Sequence, residues 1–337
     1  GKGKKGAAGR GGASMRLYSD FYRSDVVLAS PLGLKMAADN DGGGGDGGEG
    51  GGDFDYLSSV EICLVGRADV LLMQNWDHVN SVLNVLNRQP SKNNDTDFSR
   101  VRNYLLAGQA SHWRQLIVCS KFADPYVLNS FKRHGTSLGG QTRVRRRVPS
   151  DDASICDVLV KARQVFKRVP CESVASQGET VLRYFKDQVL PRILTNRQDR
   201  TMIFLPSYFD FVAVRNLLLE KEASFVSVTE YARVSEVSRG RARFLQGRKR
   251  IMLYTGRAHY FLRHRIKGVR HLILFGLPEC PEFYPDLMNA LGDGLGPKGG
   301  GGGGVLDAEA SASCLALFTR YEARCLERIV GTAHCER

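Results

Sequence analysis

The sequence predicts an α/β protein whose parallel sheets are covered by helices, arranged as two domains in one chain. Three observations carry this. Short apolar runs recur without the alternation of a half-exposed strand, as strands buried on both faces should read. Segments with three-to-four-residue apolar spacing stand between those runs and read as amphipathic helices. The pattern continues over 337 residues, about two domains of roughly 150 residues each.

Taken in order, strands are expected at 25–30 (DVVLAS), 60–65 (VEICLV), 114–120 (RQLIVCS), 201–207 (TMIFLPS), 225–228 (FVSV), 250–255 (RIMLYT), 271–278 (HLILFGLP) and 314–319 (CLALFT). Helices are expected within 70–87, 98–110, 178–194 and 208–222. In the first of these, Trp76 stands at helical spacing from Leu72, Val79 and Leu83, which is a core position rather than a ligand position. The polar, proline-closed stretch 141–152 separates the halves, giving domains at 21–148 and 149–337. Glycine tracts at 41–52 and 291–304 cannot offset their ordering entropy by burial and read as loop insertions, with residues 1–20 a disordered tail. Three strands are thin for a doubly wound sheet, so the first domain is expected to be truncated ahead of Gly1.

No run approaches 18 uninterrupted apolar residues, which argues against a membrane partner. The eight cysteines form no CxxC pair and mostly sit in apolar runs, the pattern of reduced buried thiols rather than of zinc ligands. Net charge is +13, and residues 233–270 carry nearly all of it: twelve Lys or Arg against the single acid Glu236. Arginine interleaved with Phe244, Tyr254, Tyr260 and Phe261 suits phosphate contact and base stacking, so nucleic acid is the expected partner.

Two doubly wound domains in a basic chain raise the RecA-like helicase architecture, whose chemistry has fixed requirements. A phosphate loop of the GxxxxGK[ST] type is absent. After VEICLV, where a DEAD-box enzyme places magnesium-binding acids, the chain has Gly66, Arg67, Ala68 and Asp69. After RQLIVC it reads Ser120, Lys121, Phe122 instead of Ser-Ala-Thr. The segment FYPDLMNALGDGLG, in place of the arginine-finger helix, holds no basic residue. No catalytic residue, metal or cofactor is expected.

Seven segments carry a specific resemblance: LASPLGLK (28–35), FDYLSSVE (54–61), ADVLLMQNWDHV (68–79), TDFSRVRNYLLAGQA (96–110), FLPSYFDFVAVRN (204–216), the long stretch from SRGRARF to PDLMN (238–289) and ERIVG (327–331). In this order the chain resembles the digestive organ expansion factor family, that of a U3 small-nucleolar-RNA-associated component of the small-subunit processome. The resemblance implies two RecA-like domains without ATPase motifs, a nucleolar location, and a role in maturing 18S ribosomal RNA. Partners implied are pre-ribosomal RNA, U3 small nucleolar RNA and other processome proteins. The family often has Asp-Gln at Gly66 and Arg67, and Thr-Glu-Arg at Thr255, Gly256 and Arg257, so this chain departs toward fewer acids.

In a RecA-like pair, RNA is expected to cross the C-terminal ends of the strands. The candidate contacts are Ser30, Lys35, Ser207, Thr255 and Arg257 near those ends. Arg239, Arg241, Arg243, Arg248, Lys249, Arg263 and Arg265 join them from the basic stretch. The alternatives are an active DEAD-box helicase with its phosphate loop upstream, and a protein platform that makes no RNA contact.

Overall fold

The apolar runs pair in parallel in two separate sheets, one in each of two units, residues 1–144 and 145–337. The computed structural model describes residues 21–41, 54–90, 96–145, 147–195, 200–292 and 312–336; the expected tail and nearly all of both glycine tracts lie outside them.

The first unit runs α1 (Pro31–Asp41), β1 (Ile62–Val65), α2 (Ala68–Met73), α3 (Trp76–Val85), α4 (Asn103–Leu106), α5 (Ala110–Trp113), β2 (Gln115–Val118) and α6 (Pro125–His134). β1 and β2 form a two-stranded parallel sheet, Ile62 opposite Gln115 through Val65 opposite Val118. The expected strand at 25–30 is not formed. Val26 and Leu28 are exposed there, and a strand needs a neighbour to take its N–H and C=O groups, which none of the described strands supplies. The expected helix over 70–87 is two helices. Asn75 takes an extended backbone between them and its side-chain oxygen accepts the Asp77 N–H at 3.0 Å, capping α3. Leu57, Val65, Val79, Leu83, Leu116 and Val127 form the core, with Trp76 packed on it and its indole N–H donating to the Ser130 hydroxyl at 2.9 Å. The outward residues of β1, Ile62 and Leu64, remain exposed.

The second unit runs β3 (Arg163–Arg168), α7 (Gln177–Tyr184), α8 (Leu190–Thr195), β4 (Thr201–Leu205), α9 (Tyr208–Glu220), β5 (Phe225–Val228), α10 (Val234–Leu245), β6 (Ile251–Thr255), α11 (Gly256–Leu262), β7 (His271–Leu274), α12 (Phe283–Asn289), β8 (Ser313–Phe318), α13 (Ala323–Val330) and α14 (Thr332–Cys335). A π-helical turn over Phe185–Val189 joins α7 to α8. The sheet is parallel throughout, in the order β3-β8-β7-β4-β6-β5. β3 escaped the sequence reading because RQVFKR is an edge strand with alternate residues in solvent, so it lacks the continuous apolar run of β4 and β6. On one face Ile203, Leu205, Ile251 and Leu253 pack against Phe185, Val189, Phe211, Val214 and Leu218 of α7–α9. On the other, Phe204 and Tyr254 meet edge to face and Phe166 stacks on Tyr284 of α12.

Candidate nucleic-acid interface

Because the second sheet is parallel, all its strands end at one edge, and the helices that follow begin there. β4 leads through Pro206 to Ser207, whose hydroxyl accepts the Phe209 N–H at 3.2 Å and caps α9. β6 leads to Thr255, whose hydroxyl accepts the Ala258 N–H at 3.3 Å and donates to Glu230 at 2.8 Å. Thr255 is buried and both its roles are taken inside the protein. Gly256 follows because α11 begins against β4: a Cβ there would lie 3.0 Å from the Pro206 carbonyl oxygen. Arg257 is half-exposed, 3.9 Å from Glu230 and with its guanidinium 5.8 Å from the centre of the Phe261 ring. Ser207, Thr255 and Arg257 therefore share an edge. Phe209 and Tyr231 stand exposed on the same edge.

β4 and β7 are neighbours whose onward connections leave in opposite directions, which opens a crevice beyond their ends. Anionic ligands of doubly wound domains sit in such crevices on backbone N–H groups. Here a carboxylate of the protein occupies it. Glu322 accepts the N–H of Leu277 at 3.1 Å, the N–H and hydroxyl of Thr319 at 2.8 and 3.1 Å, and the Gln177 amide at 3.3 Å. Burial pushes its pKa up and these hydrogen bonds pull it back. Asp210, in the first turn of α9, is raised to about 6 by burial and then by the Glu322 charge. Neither acid was singled out from sequence. The signal for Glu322 was present, since Thr319 to Glu322 is a T-x-x-E capping box; Glu230 follows a strand end with no such signature.

The basic stretch is dispersed by its helices. On α10, Arg239 and Arg243 are four residues apart and share one exposed face. Arg241 points elsewhere and donates to the Arg265 carbonyl at 2.6 Å. Gly247, at φ +74°, ends α10 in a Schellman turn: its N–H donates to the Phe244 carbonyl and that of Arg248 to the Arg243 carbonyl, both at 3.0 Å. Arg248 and Lys249 thereby fall at the start of β6, the sheet edge opposite Ser207 and Thr255. Arg263 ends α11 with φ +42°, pairs with Asp286 and Glu282, and lies 5.0 Å over Phe283. Asp286 also meets the His259 imidazole at 3.3 Å, which burial holds down at about 4. In the first unit, Ser30 accepts the Gly33 N–H at 3.1 Å at the head of α1, and Lys35 is half-buried on that helix.

The segments compared above with DEAD-box motifs fold as local turns and helices. Arg67 takes the left-handed backbone, φ +52°, at the head of α2, and its guanidinium lies 3.3 Å from Asp69. Asp69 is buried, and one of its oxygens has no hydrogen-bond partner. The Ser120 hydroxyl donates to the Phe122 carbonyl at 2.7 Å. On α12, Phe283, Tyr284, Leu287 and Met288 are buried core residues.

The fold defines an α/β protein of the nucleoside-triphosphatase-like class, with Gly66 and Arg67 leading into α2. Residues 154–337 match the family described as "Utp25, C-terminal domain", and residues 11–142 match "UTP25, NTP hydrolase-like domain". The chain belongs to the Utp25 family, the family that its motifs resemble.

It is 38% identical over 327 residues to U3 small nucleolar RNA-associated protein 25 of Chaetomium globosum, covering 95% of this chain and 43% of that protein. It is 37% identical over 324 residues to Protein NUCLEOLAR FACTOR 1 of Arabidopsis thaliana, covering 96% and 40%. With the human U3 small nucleolar RNA-associated protein 25 homolog it shares 38% over 318 residues, covering 94% and 40%. The chain thus spans less than half the length of these relatives. Among solved structures it is similar to a DEAD box protein from Methanococcus jannaschii, at 15% identity and a TM-score of 0.36, covering 81% of this chain and 58% of that one.

Proposed function

We propose that this chain is a non-catalytic, helicase-like RNA-binding scaffold of the nucleolar small-subunit processome, acting in processing of pre-ribosomal RNA to 18S rRNA. Its ligands are pre-ribosomal RNA and U3 small nucleolar RNA, beside other processome proteins. The observation that carries this reading is the fate of residues 233–270: they fold into α10, β6 and α11 with Arg239, Arg243 and Arg248 exposed, while the crevice beyond the C-terminal ends of β4 and β7 is filled by Glu322. Phosphate contact is retained and nucleotide chemistry is not. At the first unit's motif positions, Gly66 and Arg67 offer no carboxylate to magnesium and one cation against it.

Crosslinking in cells, with the crosslinked peptides and RNA sites identified, tests the reading. Crosslinks from the segment around α10 to pre-ribosomal RNA or U3 RNA support it. Crosslinks to protein alone favour a protein platform, for which exposed Phe209 and Tyr231 are the candidate contacts. RNA-stimulated ATP turnover in the full-length protein, lost on changing residues at this chain's motif positions, would establish the helicase reading instead.

A further inference from the structure

The sheet edge opposite the crevice carries a feature that the linear basic stretch conceals. Thr201 pairs with Ile251 on one side and with His271 on the other, so the residues just before them, Arg200, Arg250 and Arg270, stand side by side at the heads of three adjacent parallel strands. Backbone hydrogen bonds fix the arrangement. The Thr201 N–H donates to the Arg250 carbonyl at 2.9 Å, and the Arg270 N–H to the Arg200 carbonyl at 3.0 Å. Adjacent strands lie about 4.8 Å apart, so three arginines start within roughly 10 Å.

Around this row, the connections into β6 (246–250) and β7 (263–270) hold six Lys or Arg besides Arg263, which pairs with Asp286 and Glu282, and no Asp or Glu; in the connection into β4, Asp199 precedes Arg200. Arg248, Arg250, Lys267 and Arg270 are exposed, and Arg200 and Lys249 half-exposed. One local explanation is that cations complement the negative C-terminal end of α10. That accounts for Arg248 and Lys249, which follow α10 directly. It does not account for Arg200, which precedes β4, or Arg270, which ends the long connection after α11.

We infer that this row is a second polyphosphate-binding surface, a rail for the backbone of a single-stranded RNA on the edge away from the crevice. The inference rests on the RNA-binding reading and adds a surface outside the strand C-terminal ends. Guanidinium forks pair with phosphate oxygens in bidentate fashion, and three at strand spacing can engage successive phosphates of one strand. The contact reads no bases, so it holds RNA without sequence preference.

The test is binding of a fluorescent uridine oligonucleotide to the chain over a salt series, for wild type, for Arg200→Gln/Arg250→Gln/Arg270→Gln, and for the same three positions changed to Lys. Each phosphate contact contributes about 0.7 to the log–log slope, so the Gln variant is expected to lose about two units of slope while the Lys variant keeps it. A Gln variant that binds with unchanged slope overturns the rail and leaves RNA binding elsewhere intact. Absence of binding by wild type removes the RNA reading itself. Gln and Lys variants that both lose binding and both melt well below wild type show that the arginines act on the fold and overturn the rail, as does a glutamate oligopeptide that binds wild type as tightly as the RNA. If the triple Gln variant does not fold, Arg270→Gln alone is read the same way, with an expected loss of about 0.7.

Discussion

Glu322 and Leu277, 45 residues apart, are joined by a 3.1 Å hydrogen bond from the Leu277 backbone N–H to the Glu322 carboxylate. The chain after β7 is thereby tied to the turn after β8, and the N–H that an external anion would use is already satisfied. Replacing Glu322 with alanine leaves Leu277 and Thr319 donors unpaired in a buried place. Unfolding by urea is expected to show a loss of about 2–3 kcal/mol, with a smaller loss for Glu322→Gln, which keeps the shape and part of the hydrogen bonding.

Asp210 gives this crevice a pH dependence. Folding raises its pKa from 3.8 to about 6, so the folded state holds the proton more tightly than the unfolded chain. The stability this contributes is full below the unfolded value and is lost as pH rises through about 6. Asp210→Asn is expected to be more stable than wild type at pH 7 by about 1–2 kcal/mol, reduced from the full linkage value because the carboxyl is partly solvated. The difference between the two proteins should vanish near pH 4, as followed by thermal melts across that range.

Restoring acids does not restore an enzyme. Gly66→Asp/Arg67→Glu supplies two carboxylates, but α12 offers no arginine, and transition-state groups act together rather than additively. A sensitive phosphate-release assay on the double variant, with RNA and magnesium present, is expected to stay at background.

The arginines of α10 separate into two kinds. Arg239→Ala/Arg243→Ala removes two exposed cations from one face, and the salt dependence of RNA binding is expected to flatten by about 1.4 units with the melting temperature unchanged. Arg241→Ala removes the link to the Arg265 carbonyl and is expected to lower stability by about 1 kcal/mol, with less effect on the slope. Equal salt slopes for the double variant and wild type would move the phosphate contacts off α10.

Strands buried on both faces were legible because burial removes alternation; β4 and β6 read as continuous apolar runs and are fully buried. β3 was not legible, since an edge strand with alternate residues in solvent looks like a polar segment, and 25–30 was overread because apolar composition supplies no pairing partner. At the site, linear clustering of arginine revealed the charge but not its direction. Helical rotation parts Arg241 from Arg239 and Arg243, and the strand register brings together Arg200, Arg250 and Arg270 across 70 positions of sequence. Carboxylates that are buried and hydrogen-bonded, such as Glu322, look in sequence like any surface acid.

The place of β3 bears on how the molecule is made. Arg163 opens the strand and pairs with Ser313, about 150 residues later, yet β3 is the first strand of its sheet to leave the ribosome. At about 5–20 residues per second it waits roughly 8–30 s for β8. During that time its backbone donors and acceptors are open to other strands, so the newborn chain is exposed to mispairing until β8 is synthesised.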